Sequence, residues 1–212
     1  MHAKTLLTDT FYFISKKWLT LLLLIFPVSF IWYGCSHYVG VIFEESQAQL
    51  INLIVAVIFA AFVEVLVITY VHRLTTDADV RPVKIYSASV NYWLPMMQLS
   101  LFKLIVIGAG LMLFIIPGVF LAVRFSLAEQ HLVLRGTNVI DALRASWTIT
   151  APNFLVIFVV LGNLLLLHLL YEYSSTFAPD ILDVVLFPLG ILIASFSTIA
   201  AYRIYALISA PS

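Results

Sequence analysis

The chain has 212 residues, of which 63% are hydrophobic and 10% charged, with a mean hydropathy of +1.08. Soluble domains carry about 25% charged residues, so a water-soluble monomer is excluded, and so is disorder, which needs an apolar-poor and strongly charged chain. Eleven basic and eleven acidic residues cancel, leaving no basic field for nucleic acid, and one cysteine excludes an internal disulfide framework or a Cys-cluster zinc site; the class left is an integral membrane protein.

A membrane helix needs roughly 20 mainly apolar residues, because the hydrocarbon is about 30 Å thick. Six such spans are predicted, at about 18–42, 50–71, 94–116, 119–134, 154–170 and 181–206. The acidic break Glu44-Glu45-Ser46-Gln47 separates the first two, and a polar stretch from His72 to Lys84 separates the second and third. Pro117-Gly118 reads as a tight reversal between the third and fourth, or else as a kink in one long broken helix. A mixed stretch, Arg135 to Thr150, and a second acidic break, Glu172 to Asp180, complete the plan. The expected fold is all-α: one polytopic membrane helix bundle over residues 1–212, with six transmembrane helices and short amphipathic cytoplasmic helices.

Cytoplasmic loops retain Lys and Arg. With the N-terminus inside, Lys4, Lys16, Lys17, Arg73, Arg81, Lys84, Arg135, Arg144 and Arg203 all fall on the cytoplasmic side, while the outer breaks hold Glu44, Glu45, Glu172, Asp180 and Asp183 and no basic residue. Both termini are therefore expected in the cytoplasm. The first apolar run exceeds the roughly 7–15 residues of a signal's apolar core, and Trp32-Tyr33-Gly34-Cys35 supplies no cleavage site, so span one is expected to stay as an anchor and Cys35 to be a plain membrane thiol.

Each hairpin is preceded by a segment with apolar residues at helical spacing. These are Leu7, Phe11, Ile14 and Trp18; then Val83, Tyr86, Val90 and Trp93; then Ile140, Leu143 and Trp147. Asn138 with Asp141 three residues on suggests an N-cap for the third. Trp18, Trp93 and Trp147 stand where indoles prefer the membrane interface, so the three segments are expected to lie in the headgroup plane.

Four charged residues fall within predicted spans away from their ends: Glu64, Lys103, Arg124 and Glu129. Each costs several kcal/mol at mid-bilayer unless paired, neutralised or wetted. Lys103 lies 14 residues before Pro117 and Glu129 lies 11 after Gly118, about 21 and 17 Å along their helices; Glu64 lies at a comparable ~21 Å from Leu50. A cluster of Glu64, Lys103 and Glu129 is allowed, either as an ion pair fixing helix register or as a proton- or solute-handling site. Gly118, Ala122, Ser126 and Glu129 share one stripe. Arg124 lies off it and is expected to turn toward phosphates, Glu44, Glu45 or Asp180.

No phosphate loop, HExxH, GxSxG or dinucleotide fingerprint occurs. Asp77-Ala78-Asp79 reads as a solvated loop rather than a metal-holding carboxylate pair, and His2, His37, His72, His131 and His168 are scattered. Neither an enzyme nor a cofactor or metal site is expected.

Phe114 to Leu121 with Arg124, followed by Ala142-Leu143-Arg144-Ala145-Ser146, resembles the pattern of the membrane domain found beside some glycerophosphodiester phosphodiesterases. More closely, the whole chain resembles the YciC-like family of uncharacterised bacterial inner-membrane proteins, through Asp9-Thr10 with Phe13, Pro117-Gly118, the Asn153 region, Ala178-Pro179-Asp180 and Tyr202-Arg203-Ile204-Tyr205. The resemblance implies a polytopic inner-membrane protein without an assigned reaction; the phosphodiesterase domain is missing, so no activity carries over. The expected role is non-catalytic, in envelope or lipid homeostasis or in support of a membrane complex, with membrane lipids and another membrane protein or a second copy as partners. The alternative is a small transporter or channel using the intramembrane charges. A water-accessible cavity at those charges marks the alternative; a dry, filled bundle marks the first.

Overall fold

The computed structural model describes residues 3–76, 78–175, 177 and 183–209; for 3–16, 174–175 and 183–185 it describes the helical backbone alone. The described residues form eight α-helices and no strand: α1 (Ala3–Ile42), α2 (Glu45–Thr75), α3 (Pro82–Leu113), α4 (Ile115–Arg124), α5 (Ala128–Arg135), α6 (Val139–Thr150), α7 (Phe154–Ser175) and α8 (Asp183–Ser209). In lipid no water replaces a broken backbone hydrogen bond, so a spanning chain must be helical or a closed barrel.

The bundle is built around α2. Residues Val65 to Val71 are buried on every side, which fits a near-continuous apolar run at a bundle's centre. Against it α1 sets Leu21, Leu24, Ile25 and Val28, one stripe at helical spacing. The α3 helix presents Ile85, Ser89, Met96, Leu99 and Gly110, and α8 closes the far side with Ile191, Leu192, Ile199 and Tyr202. The outward faces of α3 and α7 are apolar and bare, as Ile105, Leu155 and Leu166 show. An apolar surface of that extent is intolerable in water and ordinary in lipid.

Five helical stretches are long and apolar enough, by length and composition, to cross a membrane: Lys17–Ile42, Glu45–Thr75, Pro82–Leu113, Val139–Tyr173 and Leu186–Ser209. The predicted fourth span, 119–134, is not one helix. It is divided into α4 and α5 by a turn at Phe125–Leu127. There Ser126 N–H takes the Val123 carbonyl and Ala128 N–H takes that of Phe125, both three residues back. The tightening frees the Arg124 carbonyl and the Leu127 N–H. Ser146 of α6 satisfies both, donating to Arg124 O at 2.7 Å and accepting from Leu127 N at 3.2 Å; Thr150 adds a longer bond to Arg124 O at 3.4 Å. Ser146 is fully buried, so Ser146→Ala strands the Leu127 N–H and removes the one short bond to the Arg124 carbonyl. A loss of about 1–3 kcal/mol is expected, read as a lowered unfolding midpoint in detergent, with Ser146→Thr closer to the parent.

The reversal between α3 and α4 also differs from expectation. It occurs at Phe114, whose backbone is extended (φ −158°, ψ 144°). Pro117 and Gly118 lie just downstream, within the opening turns of α4. Proline is tolerated there because its missing N–H has no intrahelical partner to lose. Gly118 is needed for contact: a Cβ at this position would sit 2.4 Å from Leu111 Cγ and 2.6 Å from Leu111 N. Gly110 faces it, its own Cβ position 3.0 Å from Gly118 Cα. The pair lets two antiparallel backbones touch, as small residues do between membrane helices.

The first two amphipathic segments are not separate helices. Helices α1 and α3 run unbroken through Trp18 and Trp93, accommodating Pro27 and Pro95. The third segment is α6, joined to α7 by a 3₁₀ turn, Ala151–Asn153, flanked by right-handed helical dihedrals. Continuing a helix keeps its backbone paired, whereas breaking it in an apolar medium costs several kcal/mol per orphaned group. The facing of Leu7, Phe11 and Ile14 lies outside the described side chains. The Asn138 N-cap does form: Oδ1 accepts from Asp141 N at 2.9 Å, and Nδ2 donates to Asp141 Oδ2 at 2.7 Å.

Candidate functional site

Lys103 continues the buried face of α3, four residues beyond Leu99 and seven before Gly110, so its side chain projects into the bundle with 20% exposure. Glu129 follows the Phe125–Leu127 break and occupies the first turn of α5, where a carboxylate suits the helix dipole. The Lys103 ammonium donates to Glu129 Oε1, forming a direct ion pair. Glu64 enters from α2. Its Oε2 is buried and meets no hydrogen-bond donor, although an uncompensated buried polar atom costs about 1–3 kcal/mol.

Two cavities flank Glu64. The smaller, about 310 Å³, is lined by Glu64, Lys103, Glu129, Ser126, Ala122 and Gln130, with an apolar wall from α7. The larger, about 490 Å³, runs from Glu64 toward the α7–α8 connection, past Trp32, Tyr33 and Phe187 to His168 and Glu172. Glu64, Ser197 and Thr198 line both. The structure thus brings Glu64, Lys103 and Glu129 onto one cavity, and the Ala122, Ser126, Glu129 stripe faces it despite the helix break.

Arg124 is not part of this group, and it does not reach Glu44 or Glu45; Asp180 is outside the described residues. Its guanidinium lies over the Trp147 ring, 4.3 Å from the centroid, and 5.6 Å from that of Phe120. A cation on an indole face is attracted by the ring's quadrupole. Trp147 is therefore a partner of the broken helix. Trp93, 37% exposed, donates from Nε1 to the Ile58 carbonyl at 2.8 Å and packs edge-on against Phe62. Trp18 is 48% exposed.

The α2–α3 loop holds Asp79 in salt bridges to Arg81 at 2.7 Å and Lys84 at 2.8 Å. Hydrogen bonds from Arg81 and then Lys84 hold its carboxyl well below the usual carboxylate range. Asp79 is thereby engaged as a loop clasp, and Asp77 lies outside the described residues. Among the described residues no three His, Cys, Asp or Glu side chains converge as a metal cage requires.

Several residues at the site were not singled out from the sequence. Gln130, only 2% exposed, lines the smaller cavity with Oε1 unbonded. Ser195, Thr198, Tyr202 and Tyr205 form a polar stripe on α8 at spacings of three and four, a legible signal on an otherwise apolar helix. Tyr202 hydroxyl bonds Thr75 Oγ1 at 2.8 Å and His72 Nδ1 at 3.3 Å, and Tyr205 hydroxyl bonds His131 Nδ1 at 3.0 Å. These bonds tie the end of α8 to α2 and α5.

No solved structure matches the chain. It is similar to the UPF0259 membrane protein PC1_1998 of Pectobacterium carotovorum subsp. carotovorum (strain PC1), 27% identical over 176 residues that cover 78% of this chain and 70% of the relative. It is likewise similar to a UPF0259 membrane protein of Serratia proteamaculans (strain 568), 27% identical over 185 residues, 82% of this chain and 74% of the relative. The "Uncharacterised protein family (UPF0259)" matches residues 33–207, and with a helical membrane bundle over that same stretch, the chain belongs to this family, the YciC-like membrane proteins.

Proposed function

We propose that the chain is a non-catalytic, multi-pass protein of the bacterial inner membrane, with both termini cytoplasmic, that admits a small polar or cationic solute to Glu64, Lys103 and Glu129. One observation carries the reading: two cavities meet at Glu64, whose carboxylate has an unbonded buried oxygen. A pair that only fixes register accounts for Lys103 and Glu129, and it leaves a third charge beside two cavities without a purpose. Intramembrane ionisable groups that face a wetted cavity serve ion and solute pathways. Both relatives' names speak of a membrane protein, and neither they nor the family description mention a phosphodiesterase, so the proposal takes nothing from that resemblance.

A scaffold in envelope or lipid homeostasis, or supporting another membrane complex or a second copy, is the competing reading. The bare apolar faces of α3 and α7 favour it. Cysteine accessibility separates the two. In a Cys35→Ser background, Ser197→Cys is expected to react with a membrane-impermeant, water-borne thiol reagent within about tenfold of the rate of Ser87→Cys on the exposed start of α3. An unreactive Ser197→Cys beside a reactive control overturns the solute reading and leaves the scaffold.

A further inference from the structure

The larger cavity has a composition of its own. One wall is a run of aromatic rings: Trp32 meets Phe187 edge-on at 5.1 Å between centroids, and Tyr33 meets Phe187 at 5.5 Å. Across from it stands Tyr171, which donates to the Leu186 carbonyl. Its ring occupies the space a side chain at Gly190 would need, since a Cβ there would lie 2.7 Å from Tyr171 Cε1. The glycine seats the ring against the cavity. Glu64 closes the inner end and Glu172 lies at the other, its Oε1 3.9 Å from His168 Nε2, while no lysine or arginine is among the lining residues.

The hydroxyls complete the pattern. Ser195 Oγ donates to the Ile191 carbonyl at 2.8 Å, and Ser197 Oγ donates to the Ala194 carbonyl at 2.6 Å. Their protons are spent on their own helix, so each offers an incoming molecule only lone pairs. The site therefore presents aromatic rings, acceptor oxygens and the Glu64 carboxyl, with Glu172 beside His168 at its other end. Aromatic faces with acidic residues and few donors are the chemistry that selects an alkylated or arylated cation over a neutral or anionic molecule of the same shape.

We infer that the 490 Å³ cavity is a binding site for an organic cation, a quaternary or primary ammonium or a phosphonium carrying apolar groups. The inference rests on the solute reading above only in sharing Glu64; binding can hold without passage. The class covers both free organic cations and the amine of a lipid headgroup.

The test uses the full chain in phosphatidylglycerol nanodiscs and radiolabelled tetraphenylphosphonium in equilibrium dialysis, with empty discs subtracted. Saturable binding of about one cation per chain is expected, with the isosteric anion tetraphenylborate showing none above empty discs. Glu64→Gln and Tyr33→Leu are each expected to weaken binding at least tenfold. The anion comparison needs no variant and remains decisive where a substitution does not fold. Equal binding of cation and anion, or undiminished cation binding in monodisperse Glu64→Gln and Tyr33→Leu proteins, overturns the site. Once binding is established, competition by phosphatidylethanolamine in the discs assigns the site to a lipid headgroup, and lack of competition assigns it to a free cation. Saturable binding in a protein whose Ser197→Cys is unreactive keeps the site and removes the solute pathway; a reactive Ser197→Cys without binding does the reverse.

Discussion

Lys103→Met alone is expected to destabilise the bundle by about 3–5 kcal/mol, the usual consequence of removing one member of a buried ion pair. The reason is specific to this site. Taking away the ammonium leaves Glu129 and Glu64 on the same cavity with no cation among its lining residues. Glu129→Gln is expected to cost less, because Lys103 then retains Glu64 as a neighbouring carboxylate. Lys103→Met combined with Glu129→Gln should recover most of the loss, since replacing both members of a buried pair is often near neutral. Unfolding midpoints of the four proteins in one detergent give the coupling energy. A double variant as unstable as the sum of the singles refutes the pairing. If the double variant folds and supports a normal cell phenotype while the singles do not, the pair is structural, and solute handling falls to Glu64.

Gly118→Leu is expected to disrupt the α3–α4 hairpin. Overpacking a core commonly costs about 1–3 kcal/mol, and this site should exceed that, because one of the atoms in the way is the Leu111 backbone nitrogen at 2.6 Å. A flexible side chain can move aside; a main-chain atom in the last turn of α3 moves only with its helix. Gly118→Ala should show the same effect at reduced size. Gly108→Ala is the control: its Cβ would meet nothing within 4 Å, and alanine's better helix propensity makes the change neutral or mildly stabilising. Pulse proteolysis or thermal unfolding in detergent reads all three, and a Gly118→Leu protein as stable as its parent would show that the two helices do not touch here.

The displaced break follows from what short motifs report. Pro117-Gly118 marks the start of a helix and a close contact, and in sequence it reads as a turn or a kink because proline and glycine serve those as well. The true reversal falls on Phe114, a residue with no turn signature. The break at Phe125–Leu127 carries no local signal either, since Ser146, which stabilises it, is some 20 residues away in sequence. The Arg124 and Ala142-Leu143-x-x-Ser146 pattern becomes a physical unit in the fold: the serine holds the backbone beside the arginine, and the neighbouring Trp147 receives the guanidinium.

Composition and periodicity alone determined that this is an all-helical membrane protein, which elements are apolar, and which charges lie inside them. Those properties follow from transfer free energy, which each side chain carries wherever it is placed. Only the tertiary structure decided where α3 turns back, that α4 and α5 are separate, that Arg124 meets Trp147 and that cavities surround Glu64. Each of these depends on what a distant helix supplies at the point of contact: a hydroxyl for an orphaned carbonyl, a missing side chain where backbones touch, or a direct ion pair for one carboxylate and no hydrogen bond for an oxygen of its neighbour.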